Sequence, residues 1–297
     1  MSPPVGTRRC RVPVYAPLHS IVMSEHFEWL TVRDRVLRTR CEPHGVTVGL
    51  VVGDEGAALI DTGSTSQQGA DLLASAAEAA GVPVSHVIIT HGHHDHWLGL
   101  AGMTDVISVG HENLLDAATA TEIADEVAAA GLSEAPRVAQ TFSLASVIEL
   151  GGVRLELIHL GDAHTSSDCY VVVPDQGVVF AGDLLETSGD PQFGPTTSAR
   201  NWPTVLDGLI AVCDDETVIL PGHGEPMDRY AAIRQQADLA IMYGAAESLV
   251  QRGIDLAEAA DATEWPFAAE TVATALPGIY ADLASRGVKK QLPLSWV

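Results

Sequence analysis

The amino-acid sequence predicts an α/β fold, because strand-like segments followed by helix-like segments occur twice along its 297 residues. The strand-like segments are short apolar runs bounded by turn residues, at 46–52, 57–60, 85–90, 146–150, 153–160, 169–173, 178–181 and 217–220. The helix-like segments place Ala and Leu at three- and four-residue spacing, at 66–80, 111–130, 202–212 and over most of 228–285. Several strand-like segments lead into histidine or aspartate residues, so functional side chains are expected where a rigid sheet ends.

We expect one domain over residues 1–297, because the candidate functional residues run from 91 to 223 and must meet at one point. Residues 1–26 are Pro-rich and are expected to form an N-terminal arm packed on this domain, and 228–297 a helical C-terminal segment. The first residues lack the continuous apolar stretch of a signal peptide, and no apolar run is long enough for a bilayer. A cytoplasmic protein without a membrane partner is therefore expected.

The charge of the chain argues against nucleic acid as a partner. Thirty-nine acidic residues against 16 Lys and Arg give a formal net charge of −23, which would repel a phosphate backbone. A small-molecule substrate is expected instead, and the sequence leaves the oligomeric state open, a homo-oligomer included. The four cysteines have neither metal-ligand nor disulfide-framework spacing and are interpreted as free thiols: Cys10, Cys41, Cys169 and Cys213.

A dense histidine cluster, His-Gly-His-His-Asp-His, follows the strand-like segment 85–90. Side chains two residues apart in an extended segment point the same way, so His91 and His93 can reach one metal ion. Asp95 and His96 face elsewhere and suit a second cation, which in two-metal hydrolases lies roughly 3.5–4 Å from the first. His94 is expected to point away from the metals.

Each ion needs further ligands, and three later residues at strand ends or turns supply them. The predicted ligands are His91, His93 and His164 at one ion, Asp95, His96 and His223 at the other, and Asp183 as a bridge. This nitrogen and oxygen donor set suits two zinc ions but also admits iron or manganese. The other histidines are interpreted as packing or surface residues: His19, His26, His44, His86, His111 and His159.

The motif His-x-His-x-Asp-His after a strand, followed by His, Asp and His at strand ends, resembles the metallo-β-lactamase superfamily over roughly residues 45–225. The resemblance implies a four-layer αβ/βα sandwich with the metals at one edge between two sheets. The segment Leu-Ile-Asp-Thr-Gly at 59–63 is similar to the family's first motif. That similarity implies that Asp61 orients a metal-binding histidine without touching the metal, so Asp61 joins the ligand Asp95 as a residue expected to act in catalysis.

Asp183 stands where the zinc β-lactamases with a cysteine ligand carry that cysteine, and an aspartate there is similar to glyoxalase-II-type thioesterases and lactonases. The resemblance implies a zinc-dependent hydrolase in which a metal-bound hydroxide cleaves a small ester, lactone or thioester. Three alternatives stay open: a mononuclear-iron persulfide dioxygenase, a β-lactam hydrolase and a non-catalytic metal-binding member of the family.

The segment 184–200 is turn-rich and too long for a simple connection, which makes it a candidate substrate loop. Phe193 in this loop is interpreted either as an apolar wall beside the metals or as a packing residue that anchors the loop.

Overall fold

A computed structural model of the protein describes residues 21–23 and 27–290. Its strands are β1 (Ile21–Met23), β2 (Glu28–Arg33), β3 (Val36–Cys41), β4 (Val46–Val52), β5 (Ala57–Ile60), β6 (Val84–Ile88), β7 (Ile107–His111), β8 (Gln140–Phe142), β9 (Ala145–Glu149), β10 (Arg154–Ile158), β11 (Tyr170–Val173), β12 (Val178–Glu186) and β13 (Val218–His223). Its α-helices are α1 (Ser66–Ala80), α2 (His94–Trp97), α3 (Ala117–Glu122), α4 (Ala124–Ala129), α5 (Trp202–Ala211), α6 (Arg229–Arg252), α7 (Leu256–Ala259) and α8 (Ala269–Ser285). Within the described ranges, no helix is both long and apolar enough to cross a membrane.

The strands are joined by hydrogen bonds into one continuous series, and its two halves are connected at the centre by a single residue pair. β4 and β13 pair only through Val46 and His223. On one side of this pair lie β1 to β8 and on the other β13 to β9, so the series divides into two sheets. The predicted ligand His223 therefore lies at the junction of the two sheets.

Alternating side chains divide the core into layers. In β5, Leu59 packs with α1 on the outer face, while Ile60 packs in the cluster between the sheets. In β12, Val179 packs with α5 and α6, while Phe180 faces the first sheet. Successive strand residues point to opposite faces. Each sheet therefore packs against a helix layer on one face and against the other sheet on the opposite face. The four-layer αβ/βα sandwich is thereby confirmed.

The two sheets approach each other closely at Gly49 of β4. A side chain added at this position would overlap the ring of Phe180 in β12. Glycine at this position therefore lets the aromatic ring fill the space between the sheets, where interiors are close-packed.

The helix predicted over 66–80 is present, whereas a single helix over 111–130 is wrong. His111 ends strand β7, and the following chain forms a short 3-10 turn and then two short helices, α3 and α4. The Asp116 side chain accepts a hydrogen bond from the Thr119 N–H and so begins a new helix in the middle of the predicted one. Local capping therefore overrides the helical spacing of the apolar residues.

Both predicted terminal segments are described only in part. Of the arm at 1–26, β1 pairs with β2, and the remaining residues lie outside the described part of the chain. In the segment 228–297, helices α6 to α8 run as far as Ser285 and share a cluster of buried residues. Leu239 of α6 also packs with the helix layer above β12 and β13, so α6 attaches these helices to the sandwich. The prediction of a single domain stays a prediction.

Candidate metal centre

The histidine cluster lies on the segment that connects β6 to α2. After β6 the chain continues without regular structure through His91 and His93, and α2 then begins with His94. Asp95 and His96 belong to this first helical turn. The change from extended to helical backbone brings the side chains of Asp95 and His96 to the centre from a different direction than those of His91 and His93, and the His96 ring still lies 4.3 Å from that of His91.

The structure brings His91, His93 and His164 together, and we call these three the first group. His93 Nδ1 lies 3.1 Å from His91 Nε2 and 2.9 Å from His164 Nε2. Asp183 Oδ2 lies 3.7 Å from His91 Nε2 and 3.6 Å from His164 Nε2. One potential ligand atom from each of these four side chains falls within 4.8 Å of the others.

Asp95, His96 and His223 form the second group. His96 Nε2 lies 3.2 Å from His223 Nε2, and Asp95 Oδ2 lies 3.5 Å from His223 Nε2. Asp183 reaches this group as well, with Oδ1 3.2 Å from His96 Nε2 and Oδ2 3.5 Å from His223 Nε2. All seven predicted ligands therefore meet at one place, with Asp183 between the groups. Their role as ligands stays a prediction.

Hydrogen bonds at the outer ring nitrogens fix how several of these histidines face inward. A backbone carbonyl or a carboxylate only accepts hydrogen bonds, so the ring nitrogen beside it carries the proton and the other nitrogen of a neutral ring keeps its lone pair. The pairs are His164 Nδ1 with Gln192 O at 2.9 Å, His223 Nδ1 with His44 O at 3.0 Å, and His96 Nδ1 with Asp61 Oδ2 at 2.7 Å. In their neutral forms, these three rings therefore present their inward Nε2 atoms as electron-pair donors.

Asp61 connects to both groups. It follows β5 with a left-handed backbone, φ +66°, and its side chain is buried. Besides His96, its carboxylate accepts hydrogen bonds from the N–H and the hydroxyl of Thr90, each at 2.8 Å. The Thr90 oxygen in turn lies 3.0 Å from His91 Nδ1. Asp61 therefore contacts His96 directly and His91 through Thr90, as expected for a residue that orients ligands.

Glu122 is a functional candidate that the sequence did not reveal. Its Oε1 lies 3.6 Å from His93 Nε2, the nitrogen opposite the one in the first group. Its Oε2 accepts a hydrogen bond of 2.6 Å from the Thr196 hydroxyl. Burial raises the pKa of Glu122, but the contacts with His93 and Thr196 lower it overall below its usual range. No motif surrounds Glu122, and only the three-dimensional structure identifies it.

Glu186 is a second candidate missed by the sequence, because β12 extends further than predicted. Asp183 was expected beyond the strand end, but both acids lie within β12. Glu186 is buried and close enough to Asp183 and His223 to share a cation with them. Its Oε1 accepts hydrogen bonds from the N–H and the hydroxyl of Ser188.

The donors present fit divalent cations. Asp183 Oδ1 is buried and, among the described residues, has no hydrogen-bond partner, which is an unusual and costly state for a carboxylate oxygen. Burial raises the pKa of Asp183, but His96 and His91 hold it well below its usual range. Burial lowers the pKa of His164 to about 4. An ionised carboxylate and a neutral imidazole are the forms that bind a metal ion.

The loop after β12 covers the first group. It runs from 187 to 201, because β12 occupies the first residues of the predicted loop. Gln192 accepts the hydrogen bond from His164, and the Thr197 hydroxyl donates to the His164 carbonyl at 2.7 Å. Between this loop and α8 lies a cavity of about 580 Å³.

Phe193 forms part of the wall of this cavity and also packs within the protein. Its ring lies 5.4 Å from that of Trp202, which itself lies 5.4 Å from the His164 ring. Phe193 therefore anchors the loop by packing on Trp202, which in turn lies beside the His164 ring.

The comparisons with known proteins agree with this geometry. Residues 41–223 match the model of the metallo-beta-lactamase superfamily. The chain is 29% identical to a probable hydroxyacylglutathione hydrolase of Schizosaccharomyces pombe over 48% of this chain and 49% of that protein, so it spans about half the length of this relative. It is 23% identical to a metallo-beta-lactamase type 2 of Bacillus cereus over 61% of this chain and 68% of that protein.

Solved structures show the same fold. A metallo-beta-lactamase from Pontibacter korlensis superimposes with a TM-score of 0.60 at 24% identity, covering 72% of this chain and 99% of the other. The sec-alkylsulfatase Pisa1 from Pseudomonas sp. reaches a TM-score of 0.69 at 17% identity, covering 86% and 50%. Because the family match extends over more than half of the chain and ends at His223, the protein belongs to the metallo-β-lactamase superfamily of metal-dependent hydrolases.

Proposed function

We propose that the protein is a zinc-dependent hydrolase with two metal ions that cleaves a small ester, lactone or thioester. The observation that carries this proposal is the position of Asp183, whose carboxylate oxygens lie within 3.7 Å of both ligand groups. A carboxylate in this position can bind two cations at once. An oxygen donor here also differs from the thiolate expected of the cysteine-containing zinc β-lactamases.

The first group with Asp183 would hold one ion, and the second group with Asp183 the other. When bound, the ions supply an activated water near neutral pH and an electrophile for the carbonyl oxygen of the substrate. The chain contributes the orientation of the donors: Asp61 fixes the His96 ring, and Glu122 lies against the outer nitrogen of His93. Such outer contacts keep a ring in the tautomer that a metal requires.

The described cysteines offer no competing nucleophile. Cys41, Cys169 and Cys213 are buried free thiols, as predicted, and Cys10 lies outside the described residues. Burial raises the pKa of Cys41 to about 12 and that of Cys213 to about 11. A thiol must lose its proton to attack a carbonyl, so these side chains are unreactive at neutral pH.

The cavity between the loop and α8 supports a small substrate. Its volume of about 580 Å³ falls within the range of roughly 300–1,000 Å³ that small-molecule sites occupy. Its lining combines the aromatic rings of Phe193 and Tyr243 with the cation of Arg200. We place the part of the substrate remote from the scissile bond in this cavity.

A substrate panel tests the reaction. Zinc-loaded and iron-loaded protein would be assayed with aryl esters, acyl-thioesters, lactones, a chromogenic cephalosporin and glutathione persulfide. We expect hydrolysis of esters, lactones or thioesters by the zinc form and its loss in Asp183→Asn, with little cephalosporin turnover. Fast cephalosporin cleavage with inert esters, lactones and thioesters would overturn the substrate class. Oxygen consumption with the persulfide in the iron form alone would assign the protein to the oxidoreductases.

A pair of glycine variants tests the cavity. Gly278 lines it, and a side chain added there meets no atom within 4 Å, so Gly278→Trp would fill the cavity without a clash at Cβ. Gly244 in α6 is equally free of neighbours but does not line the cavity, so Gly244→Trp is the matched control. We expect KM to rise by about tenfold or more in Gly278→Trp, equivalent to about 1.4 kcal/mol of lost binding. Equal KM values for the two variants would place the substrate elsewhere.

A further inference from the structure

A third group of metal-ligating side chains lies beside the centre. His44, in the turn between β3 and β4, meets His94 and Asp95 at the start of α2, with one ligand atom from each residue within 4.8 Å of the others. No sequence pattern connects them, because His44 and His94 are 50 positions apart and neither is expected from the sequence to bind a metal. Their meeting follows from the fold.

The two imidazole rings adopt the same mutual arrangement as rings of the first group. His44 and His94 lie 4.8 Å apart between centroids at an interplanar angle of 90°. His91 and His164 lie 5.0 Å apart at 78°. Rings that meet edge to face can direct nitrogen lone pairs from different sides to a common point, as a tetrahedral ion requires.

Asp95 directs one carboxylate oxygen to the third group and the other to the second group. Its Oδ1 lies 3.7 Å from His94 Nδ1, whereas its Oδ2 faces His223 of the second group at 3.5 Å. One carboxylate oxygen is therefore directed to the third group while the other is directed to the centre.

The charge around the third group favours a cation. The negative charges of Asp95 and Glu126 act on the His94 ring, where they oppose the effects of burial and of the neighbouring His44 and His93. Glu126 Oε2 is buried and has no hydrogen-bond partner among the described residues. Two carboxylates near two imidazoles would balance the charge of a divalent ion, and the exposed side of His44 leaves a route for the ion to enter.

We propose that His44, His94 and Asp95 bind a third divalent transition-metal ion, separate from the two ions of the centre. Two imidazoles and one carboxylate form a donor set typical of zinc and its neighbours in the first transition row. Among the described residues, neither ring nitrogen of His44 or His94 has the outer hydrogen-bond acceptor that supports His96 or His223. The third site therefore binds more weakly than the centre, and it fills when free metal is in excess.

Metal counting tests this site. Wild-type protein, His44→Ala and His86→Ala would be dialysed against rising concentrations of free Zn²⁺, and the bound zinc measured by elemental analysis. His44→Ala removes the imidazole but keeps the backbone carbonyl that accepts from His223. His86 pairs with Ser85 outside all the ligand groups and is the matched control. We expect one ion fewer per chain in His44→Ala than in wild type or His86→Ala at the highest zinc concentration.

A second variant makes the result independent of any defect of the first. His94→Gln should lose the same ion, and a titration with Co²⁺ followed by visible absorption should lack the weakest binding step in both His44→Ala and His94→Gln. Equal counts in wild type and both variants, with unchanged thermal melting, would overturn the proposal. Because the result is a difference between variants, it stands whether or not the protein hydrolyses esters.

Discussion

The two ligand groups of the centre are supported by different parts of the molecule. The outer nitrogen of His96 is held by Asp61, directly after strand β5, and that of His223 by the carbonyl of His44 in the turn before β4. In the first group, His91 is also linked to Asp61 through Thr90, but the other two histidines depend on peripheral segments. His93 contacts Glu122 of the short helix α3, and His164 contacts Gln192 of the long loop. The second group is thus anchored near the sheets, whereas His93 and His164 of the first group are coupled to α3 and to the loop that borders the cavity.

We infer that the surroundings of His93 and His164 can change with little effect on the second group, although Asp183 is common to both groups. A change in the loop alters the surroundings of His93 and His164 but leaves Asp61 and His96 in place. Residues after strand ends are positioned by rigid elements, while loops vary and carry specificity. We therefore expect mutations around His93 and His164 to reduce activity by modest amounts, and mutations at Asp61 to reduce it more strongly.

The largest effect is expected from removing two ligands of the first group. The double variant His91→Ala with His93→Ala should retain one tightly bound ion fewer than wild type. One histidine and Asp183 alone do not complete a tetrahedral site. Elemental analysis after removal of free metal measures the count. An unchanged count and affinity would refute the assignment of these ligands.

A smaller but substantial effect is expected at Asp61. Asp61→Asn keeps a residue type that tolerates the left-handed backbone but replaces the charged acceptor of the His96 proton. Metal affinity or turnover should fall by about 10–100-fold. Competition with a chromogenic chelator measures the affinity. Wild-type affinity and turnover in a stably folded variant would show that Asp61 only stabilises the local backbone conformation.

Glu122 provides the corresponding test for the first group. Glu122→Gln should lower the affinity for one ion by about tenfold, at the lower end of the effects of such outer contacts, because its distance of 3.6 Å to His93 exceeds the 2.7 Å between Asp61 and His96. Asp125→Asn, at an exposed acid of the neighbouring helix α4, is the control. An effect as large as that of Asp61→Asn would remove the difference between the groups.

The smallest effect is expected at the loop. Thr196→Val removes the hydroxyl that donates to Glu122 and should reduce turnover by about fivefold, which corresponds to about 1 kcal/mol for one hydrogen bond. The combination with Glu122→Gln should add little, because both changes break the same chain of contacts. Fully additive effects in the double variant would show that Thr196 acts independently of Glu122.

The sequence predicted those parts of the centre that depend on local spacing. His91, His93, Asp95 and His96 lie close together in the chain, so their division into two directions follows from backbone geometry alone. The three distant ligands were predicted because each follows a predicted strand or a turn, where functional side chains are placed on a rigid support, although Asp183 in fact lies within β12. Asp61 depended on a resemblance, since a single aspartate after a strand has no distinctive pattern.

Other features depend on contacts that sequence spacing does not encode. Glu122 was placed in a continuous helix over 111–130, and the cap at Asp116 that divides this helix competes with the apolar spacing. Phe193 lines the cavity and also packs on Trp202, and neither contact follows from its position in the loop sequence. The pairing of His44 with His94 depends on how a turn between two strands meets the start of α2.

Crystallography at the zinc absorption edge can locate the two cations that we propose on either side of Asp183. Protein stripped with a chelator, reloaded with two equivalents of zinc and crystallised would be used for anomalous difference maps. We expect two peaks roughly 3.5–4 Å apart, one among His91, His93 and His164 and the other among Asp95, His96 and His223. A single peak, or peaks away from Asp183, would refute the assignment of two ions to this centre.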